Sequence, residues 1–310
     1  MTTVLGVSAS RRVWGNCEIA AKLALLAARD AGATTSFLRL ADLRIEQCRG
    51  CFTCVSDEAR CVLADDLDRL IEAADQADAL VFASPVYFGL PPSCVVALLD
   101  RLLVRTPWTG QGKGQAAAAC PKPAATVTIM GNRKWGGIAE PVLNLTSSLL
   151  GFEVLESLSV VAEGPGEILS DAKAVQSVSA AGGRIASIRE LPRPGSAVGT
   201  AGQGVGPVDV GQATSAAQAR CPTCRSDFFR IGEEGIECPI CGERGELEPY
   251  LREGVFVEAG GERRWGRSWL GDHVASWIRP SVERYRARRR DILRNVSELK
   301  RRYSAIEGGE

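Results

Sequence analysis

Short apolar runs alternate with helical patterns through the first 190 residues, and this alternation constrains the fold more than any other feature of the chain. Strands are predicted at Thr3–Val7, Thr34–Leu40, Ala79–Ala83, Ala124–Met130 and Val154–Val161. A helix with Ile19, Leu23 and Leu26 on one face follows the first strand, and further helices are predicted near 65–77, 92–104, 138–150 and 167–190. Such an alternation predicts an α/β fold with a doubly wound parallel sheet in the order 2-1-3-4-5.

Four loops follow the carboxyl ends of the first four predicted strands. They are Ser8–Cys17, Cys48–Cys61, Ser84–Pro92 and Met130–Gly137. In a doubly wound sheet, ligands bind outside the carboxyl ends of the strands, where the strand order reverses. We therefore expect these loops to build the binding site.

The loop after the first strand has the composition of a phosphate site. It runs S-A-S-R-R-V-W-G-N-C and leads into a helix. Free N–H groups at a helix N-terminus and the helix dipole attract anions, and Ser8, Ser10 and Asn16 can add hydrogen bonds. Since every α/β protein has such turns, this loop alone indicates phosphate only weakly.

Two aromatic residues stand in the loop after the third strand, S-P-V-Y-F-G-L-P-P. Tyr87 and Phe88 offer flat surfaces to a planar ring, although aromatic residues here can also simply cap the sheet. Together with a phosphate loop at the same edge, they favour a flavin mononucleotide (FMN) site. The predicted FMN-binding residues are Ser8, Ser10, Arg12, Gly15, Asn16, Cys17, Pro85, Val86, Tyr87, Phe88, Gly89, Gly131, Asn132 and Gly136.

Four cysteines in the spacing C-x2-C-x2-C-x6-C follow the second strand, at Cys48, Cys51, Cys54 and Cys61. Cysteines three apart on a tight loop rarely meet disulfide geometry. Thiolates repeating every three residues point to one centre when the backbone curls around it, which favours a 4Fe–4S cluster. Zinc, the alternative, normally uses two well-separated pairs. Arg44, Arg49 and Arg60 either offset the charge of the cluster or are ordinary solvated side chains.

Residues 1–190 resemble the iron–sulfur flavoprotein branch of the NADPH-dependent FMN reductase, flavodoxin-like family. The phosphate-loop pattern of that family, G-S-P-R-x-x-G-N-T, corresponds here to A-S-R-R-V-W-G-N-C, with Arg11 in place of the proline and Cys17 in place of the threonine. The S-P-x-Y-F/W-G loop and the compact cysteine motif of the family are also present. The resemblance implies a flavodoxin-like sheet, FMN and a 4Fe–4S cluster. It further implies a homodimer or homotetramer, because in this family the cluster faces the flavin of a neighbouring subunit.

A second cysteine set, C-x2-C-x13-C-x2-C, lies at Cys221, Cys224, Cys238 and Cys241. Two pairs bridged by short strands, here Phe228–Ile231 and Gly235–Glu237, are typical of a zinc (Zn) ribbon. A rubredoxin-type iron site is the alternative, because tetrahedral ligation by four sulfurs suits both metals. We expect zinc, since the two pairs are close in sequence for such an iron site.

The motifs divide the chain into four predicted parts. These are a flavodoxin-like FMN-binding domain at 1–191 that includes the cysteine loop 48–61, a flexible linker at 192–219, the zinc ribbon at 220–250, and a segment at 251–310 that contains Trp265, Trp269 and Trp277 and a basic helix. The linker is assigned from its many Gly and Pro residues and its lack of large apolar side chains.

The last predicted helix, near Pro280–Ile306, is amphipathic. Its apolar stripe is expected to pack on another surface or subunit and consists of Val282, Tyr285, Ile292, Val296, Leu299, Tyr303 and Ile306. Its basic face is either simply solvated or a dock for an acidic electron carrier such as ferredoxin, and consists of Arg284, Arg286, Arg288, Arg290, Arg294 and Arg301.

Composition restricts the compartment and the chemistry. The 37 Lys and Arg residues balance the 37 Asp and Glu residues, so no global field favours nucleic acid. Eleven cysteines in a chain that opens with a predicted strand, and no apolar run of membrane-spanning length, predict a cytoplasmic protein. His273 is the single histidine and is expected to be structural. Cys94 and Cys120 are expected to be buried, and Cys17 is either reactive or fills a small polar slot.

These features predict an oxidoreductase. FMN and the cluster would pass electrons between a ferredoxin-like one-electron carrier and a two-electron partner, either a nicotinamide or a small oxidant. One alternative is an NAD(P)H-dependent flavin or quinone reductase whose cysteines hold only zinc. The other is a redox-sensing regulator that binds nucleic acid or protein through the ribbon and the basic helix.

Overall fold

The computed structural model describes residues 1–51, 53–55, 60–105, 122–188, 228, 230–232, 235–238, 244–245 and 279–307. Among the helices in these ranges, none combines the length and the apolar character that a membrane span requires. The predicted linker, the three tryptophans of 251–278, His273, Cys120, Cys221, Cys224 and Cys241 lie outside the described residues.

Five strands form one parallel sheet in the order β2-β1-β3-β4-β5, which confirms the predicted fold class. The strands are β1 (Thr3–Ser8), β2 (Thr34–Arg39), β3 (Ala79–Pro85), β4 (Lys122–Met130) and β5 (Phe152–Val161). The central strand β3 is buried at every residue, because helices cover both faces of a parallel sheet. Because both faces of β3 are buried, its sequence is a nearly continuous apolar run.

The helices cover the two faces of this sheet. They are α1 (Asn16–Asp30), α2 (Leu67–Gln76), α3 (Ser93–Arg101), α4 (Ala139–Leu149) and α5 (Ala172–Ser187). Helices α1 and α5 pack on one face, and α2, α3 and α4 pack on the other. Helix α5 begins five residues later than the sequence pattern predicts, because the Asp171 side chain accepts hydrogen bonds from the N–H groups of Lys173 and Ala174 and caps the helix there.

The contact between α1 and α5 depends on a glycine. A Cβ atom on Gly182 would lie 2.2 Å from the carbonyl oxygen of Ala24, so the two helix backbones are in direct contact. Small residues along α1, among them Ala20, Ala21 and Ala28, are fully buried beside it. This close approach positions α1, whose N-terminus follows the first loop of the predicted site.

The C-terminal helix α6 (Arg279–Glu307) packs against the α1 side of the same domain. Ile292 and Val296 contact the turn at Gly166, and the ring of Tyr285 lies against Gly164. Tyr303 is also buried. The stripe residues whose side chains the structure describes therefore pack on another surface, as the sequence pattern predicts, and that surface belongs to the chain itself.

The basic face of α6 is exposed, and two of its arginines also form ion pairs with the domain. Arg284 pairs with Glu163 at 2.9 Å, and Arg288 pairs with Glu167. Both carboxylates belong to the turn after β5, so these two arginines connect the helix to the domain, while nearly half of each side chain stays exposed. The sequence pattern did not distinguish them from the other arginines of this face, at 286, 290, 294 and 301.

A small antiparallel sheet in the order β6-β7-β8 lies in the predicted ribbon region. Its strands are β6 (Arg230–Gly232), β7 (Gly235–Glu237) and β8 (Arg244–Gly245). The predicted strand pair is thus present, and Cys238 is buried directly after β7. The zinc site itself stays a prediction.

We expect Gly182→Ala to lower the free energy of unfolding by ~1–3 kcal/mol, the usual cost of overpacking, because the new methyl group meets backbone atoms of α1 that cannot rotate away. Gly183→Ala is the matched control: a Cβ there has its nearest neighbour at 3.9 Å, so stability should stay equal or rise by up to ~1 kcal/mol. Urea unfolding followed by circular dichroism measures both. Equal stability of the two variants would contradict the close contact.

Candidate functional site

The loop between β1 and α1 is shaped by its own side chains. Ser8 Oγ accepts a hydrogen bond from the backbone N–H of Ser10 at 3.4 Å, and Ser10 Oγ accepts one from the N–H of Arg12 at 3.1 Å. Trp14 has a positive φ of 55°, and its N–H donates to Glu18 Oε2 at 2.8 Å. These bonds curl the loop around the N-terminus of α1.

The N-terminus of α1 is available to an anion. Gly15 occupies the N-cap position, and no side chain among the described residues caps the helix there. A Cβ atom on Gly15 would lie 2.8 Å from Cβ of Arg12, so only glycine fits without moving the loop. Uncapped N–H groups at a helix start bind phosphate, and the exposed Arg12 side chain adds positive charge nearby.

Asn16 has a structural contact that the sequence did not indicate. Its side-chain Nδ2 donates to the carbonyl oxygen of Gly164 at 2.9 Å, and its Oδ1 accepts from the N–H of Ile168 at 3.3 Å. The amide therefore joins the start of α1 to the turn after β5. A phosphate contact, for which one Nδ2 hydrogen is left, stays a prediction.

Cys17 lies in the core rather than at an open helix end. Its side chain is 2% exposed, and burial raises the pKa of the thiol far above its usual range. Of the two predicted roles for Cys17, the structure supports the small buried residue. The reactive thiol that the helix position suggested is disfavoured.

The loop after β3 presents two aromatic rings to solvent. Tyr87 and Leu90 exchange backbone hydrogen bonds of 2.8 and 3.0 Å across a tight turn, and Phe88 and Gly89 both have positive φ angles, as in a type I′ turn. Tyr87 is 52% exposed and Phe88 is 66% exposed. Two large apolar rings held out at a sheet edge suit a planar ligand.

Pro85 and Val86 continue β3 into this turn. Pro85 pairs with Ile129 in the register of the sheet, and the N–H of Val86 donates to the carbonyl oxygen of Ile129 at 2.9 Å. Val86 packs in a small buried cluster with Met130 and Ala139. The aromatic turn is therefore anchored to β4 and α4.

The loop after β4 packs directly on the aromatic turn. The N–H of Ile138 donates to the carbonyl oxygen of Gly89 at 2.8 Å, and a Cβ atom on Gly137 would lie 2.3 Å from that oxygen. The ring of Trp135 lies 5.6 Å from that of Phe88. Trp135 was not among the predicted site residues. It could have been selected for the same reason as Tyr87, because it is an aromatic residue in a loop that follows a strand, here K-W-G-G. The predicted residues of this loop, Gly131, Asn132 and Gly136, are partly buried.

The four cysteines of the loop after β2 line a single pocket. Its other lining residues are Arg49, Gly50, Leu63, Asp100, Arg101 and Leu103. The empty volume is about 410 Å³ and is partly open to solvent. Cys48 and Cys51 are exposed, whereas Cys54 and Cys61 are partly buried. The structure thus brings together all four predicted ligands.

Hydrogen bonds to sulfur shape this pocket. The N–H of Gly50 donates to Cys48 Sγ and the hydroxyl of Thr53 to Cys51 Sγ, both at 3.4 Å. The Thr53 bonds lower the pKa of the Cys51 thiol, whereas burial and the neighbouring thiols raise that of Cys54.

In the described part of the chain, no three Cys, His, Asp or Glu side chains are arranged around a single metal ion. A 4Fe–4S cluster does not require that arrangement, because each thiolate binds a different iron. The donor set of the pocket, four thiols with N–H and hydroxyl groups directed at sulfur, fits such a cluster.

The buried cation at this pocket is Arg101, which the sequence analysis did not select. Its side chain is 1% exposed and forms two hydrogen bonds to the fully buried carboxylate of Asp65, at 2.6 and 3.1 Å. By contrast, Arg49 is two-thirds exposed, Arg60 is exposed and Arg44 donates to the carbonyl oxygen of Ala64. The positive charge that the sequence analysis expected from these three arginines is therefore supplied by Arg101, at the end of α3.

Helix α3 connects the two halves of the site. Near its start, Cys94 Sγ donates to the carbonyl oxygen of Ala9 in the first loop at 3.6 Å. At its end, Arg101 lines the cysteine pocket. Seven residues of helix separate them, which is about 10 Å along the axis at 1.5 Å per residue. The first loop and the cysteine pocket are therefore close neighbours within one chain.

Comparison with known proteins identifies similar chains. The sequence model of the NADPH-dependent FMN reductase family matches residues 2–165. An iron–sulfur flavoprotein of Methanocaldococcus jannaschii is 37% identical over 98 residues, which are 32% of this chain and 50% of that protein. One from Methanosarcina thermophila is 35% identical over 98 residues, 32% of this chain and 51% of that protein. The chain thus spans about half the length of these curated relatives.

Two longer matches extend past the sheet. A flavone synthase of Aspergillus candidus is 24% identical over 267 residues, covering 78% of this chain and 77% of that protein. A solved structure of a flavone reductase superposes with a TM-score of 0.54 at 18% identity, covering 100% of this chain and 98% of that one. At this identity the structural likeness shows a shared fold alone.

We expect iodoacetamide to label Cys17 more slowly than Cys51 in metal-free folded protein, by about a hundredfold or more, because each unit of raised pKa lowers the thiolate fraction about tenfold. The rate at Cys51 should level off as pH rises past its lowered pKa, whereas the rate at Cys17 should still be rising at pH 10. Mass spectrometry of tryptic peptides measures both rates. In guanidinium, where burial is lost, the two cysteines should react alike.

Proposed function

Because the chain belongs to the NADPH-dependent FMN reductase family, we propose that it is an oxidoreductase with FMN at the carboxyl edge of the sheet and a 4Fe–4S cluster in the cysteine pocket. It transfers electrons between a one-electron carrier and a two-electron donor or acceptor. The convergence of four cysteines on one pocket, a helix length from the phosphate loop, is the observation that carries the proposal.

The loops around α1 and β3 bind and orient the flavin. The uncapped N-terminus of α1 and the Ser10 hydroxyl hold the phosphate, with Arg12 as a counter-charge. The exposed rings of Tyr87 and Phe88 lie at the edge where the isoalloxazine ring binds. FMN itself supplies the redox chemistry, since it accepts either one or two electrons.

The cysteine loop binds the cluster and keeps it accessible. Hydrogen bonds from Gly50 and Thr53 stabilise charge on two of the sulfurs, and such bonds are one of the means by which proteins set a cluster potential. The curated relatives are named iron–sulfur flavoproteins, which supports this assignment.

The partners follow from the exposure of the pocket. Since Cys48 and Cys51 are at the surface, a ferredoxin-like carrier or the flavin of a second subunit can approach the cluster closely. We therefore propose a ferredoxin-like or nicotinamide electron donor and a homodimer or homotetramer. These partners are supported by accessibility and by the family, and they are tested by reconstitution with purified carriers.

We further propose a structural zinc site at the ribbon. The β6–β7 hairpin ends at the buried Cys238, where a zinc ribbon places the first ligand of its second pair. A closed tetrathiolate site contributes folding free energy to a segment too small for a core of its own.

Anaerobically prepared protein should contain about four iron and four labile sulfide per chain together with FMN, as a 4Fe–4S flavoprotein requires. In Cys54→Ala the iron should be lost and FMN retained, because the flavin loops and the cysteine loop are separate segments. Cys94→Ala, which removes a cysteine outside the pocket, should keep its iron. Metal and sulfide analysis with visible spectra checks all three proteins.

Zinc without sulfide in the wild-type protein would contradict the cluster and favour a flavin reductase whose cysteines hold zinc alone. Loss of FMN together with iron in Cys54→Ala, in a folded protein, would show that the two sites are not separable.

Cys238→Ser should loosen residues 220–250 and release zinc while leaving FMN content unchanged, because the ribbon lies outside the family match at 2–165. Zinc analysis and limited proteolysis measure the two effects. Unchanged zinc content with intact proteolytic resistance would exclude Cys238 as a ligand.

A further inference from the structure

The ion pair between Arg101 and Asp65 is buried at the base of the cysteine pocket. The two side chains are 1% and 0% exposed and share two hydrogen bonds. Arg101 also donates to the carbonyl oxygen of Glu46 at 2.8 Å. A bidentate pair with this little exposure is rigid, because both planar groups are fixed in orientation.

This pair holds both ends of the cysteine loop. Glu46 lies two residues before the first cysteine, and Asp65 lies four residues after the last. Asp65 additionally accepts hydrogen bonds from the N–H groups of Glu46 at 2.8 Å and Leu67 at 3.2 Å. Burial raises the pKa of Asp65, but these hydrogen bonds lower it overall, so the carboxylate stays charged. The loop is thereby closed against the end of α3.

Arg101 also has an unused donor at the pocket. Its Nε is buried and makes no hydrogen bond within the described residues, and its side chain is part of the pocket wall. Arg101 and Cys61 both line this pocket, so the positive charge of Arg101 lies beside one of the four thiols. Leaving a buried hydrogen-bond donor without an acceptor costs free energy. A ligand with sulfur acceptors in the pocket would remove this cost.

We propose that Arg101 is a positioning residue of the cysteine pocket that also raises the reduction potential of the cluster held there. This inference rests on the proposed function. Reduction adds one electron, and hence one negative charge, to the cluster. A buried positive charge beside the cluster stabilises the reduced form more than the oxidised form, since charge and hydrogen bonds to sulfur are established determinants of cluster potential.

The two members of the ion pair should act in opposite directions. Arg101 lines the pocket, whereas Asp65 does not and lies behind it. Removing the Arg101 charge leaves a net negative charge near the cluster, and removing the Asp65 charge leaves a net positive one. A purely structural role would instead disturb the cluster in the same direction in both variants.

The experiment compares reduction potentials in the full-length protein by redox titration followed by electron paramagnetic resonance. We expect Arg101→Gln to lower the equilibrium constant for cluster reduction about tenfold and Asp65→Asn to raise it about tenfold, shifts of about 59 mV for a one-electron couple. Arg101→Lys keeps the charge and should stay within about threefold of the wild type, by the same relation.

Arg105→Gln is the matched control. Arg105 forms the same two-bond pair with Asp75, at 2.8 and 3.1 Å, and its Nε is likewise buried without a hydrogen bond to any described residue. It is not among the residues that line the cysteine pocket. Its substitution should leave the potential unchanged.

Shifts of the same sign in Arg101→Gln and Asp65→Asn, or potentials equal to that of the Arg105 control, would overturn the inference. If both variants lose their iron, Arg101→Lys decides: iron content and potential close to wild type support a role of the charge, and loss of iron or a tenfold shift refutes it. Wild-type protein without iron and sulfide would refute the proposed function itself, which separates the two failures.

Discussion

The parallel arrangement of the sheet is the constraint on which the rest of the structure depends. It brings the carboxyl ends of β1, β2, β3 and β4 to one edge, so four loops that are far apart in sequence become neighbours. The inner strands β1, β3 and β4 are almost wholly buried between the helices on the two faces. The exposed polar and aromatic side chains at this edge are therefore on the loops. Three of the four loops are each held by a different kind of interaction: side-chain hydrogen bonds at Ser8 and Ser10, a type I′ turn at Phe88, and an ion pair at Arg101.

Helix α3 turns two separate loops into one site. Its first turn contacts the loop between β1 and α1 through Cys94, and its last residue closes the cysteine loop through Asp65. Because a helix is stiff over nine residues, a distance of about 10 Å between the two ends is set by the fold rather than by loop flexibility. The proposed FMN and cluster would need such a fixed separation, since two redox groups must stay close without sharing ligands. Under the proposed function, the exposed Cys48 and Cys51 are where a second subunit would approach the cluster.

The fold was predictable from the sequence, and the electrostatics of the site were not. Apolar periodicity determines strands and helices locally, which is why the five strands and their order were predicted correctly. Arg101 sits in D-R-L-L-V-R, where nothing local distinguishes it from a solvated arginine. Its partner lies 36 residues away, so its burial depends on tertiary packing alone. The same reason explains the unpredicted contacts of Asn16 and of Arg284, whereas the cysteine spacing could be interpreted because all four cysteines lie on one loop.

The loop between β1 and α1 also depends on packing with the last helix, α6. Trp14 adopts a left-handed conformation that costs a non-glycine residue about 1–2 kcal/mol. The Lys22 ammonium lies over the rings of Trp14, Phe37 and Tyr303, at 3.9, 4.9 and 4.6 Å, and pairs with Glu18 at 3.1 Å. Glu18 also accepts a hydrogen bond from the N–H of Trp14. Both the backbone and the side-chain ring of Trp14 are therefore held in place. Tyr303 belongs to α6, outside the family match at 2–165, so a C-terminal extension completes the packing behind a loop that the family domain supplies.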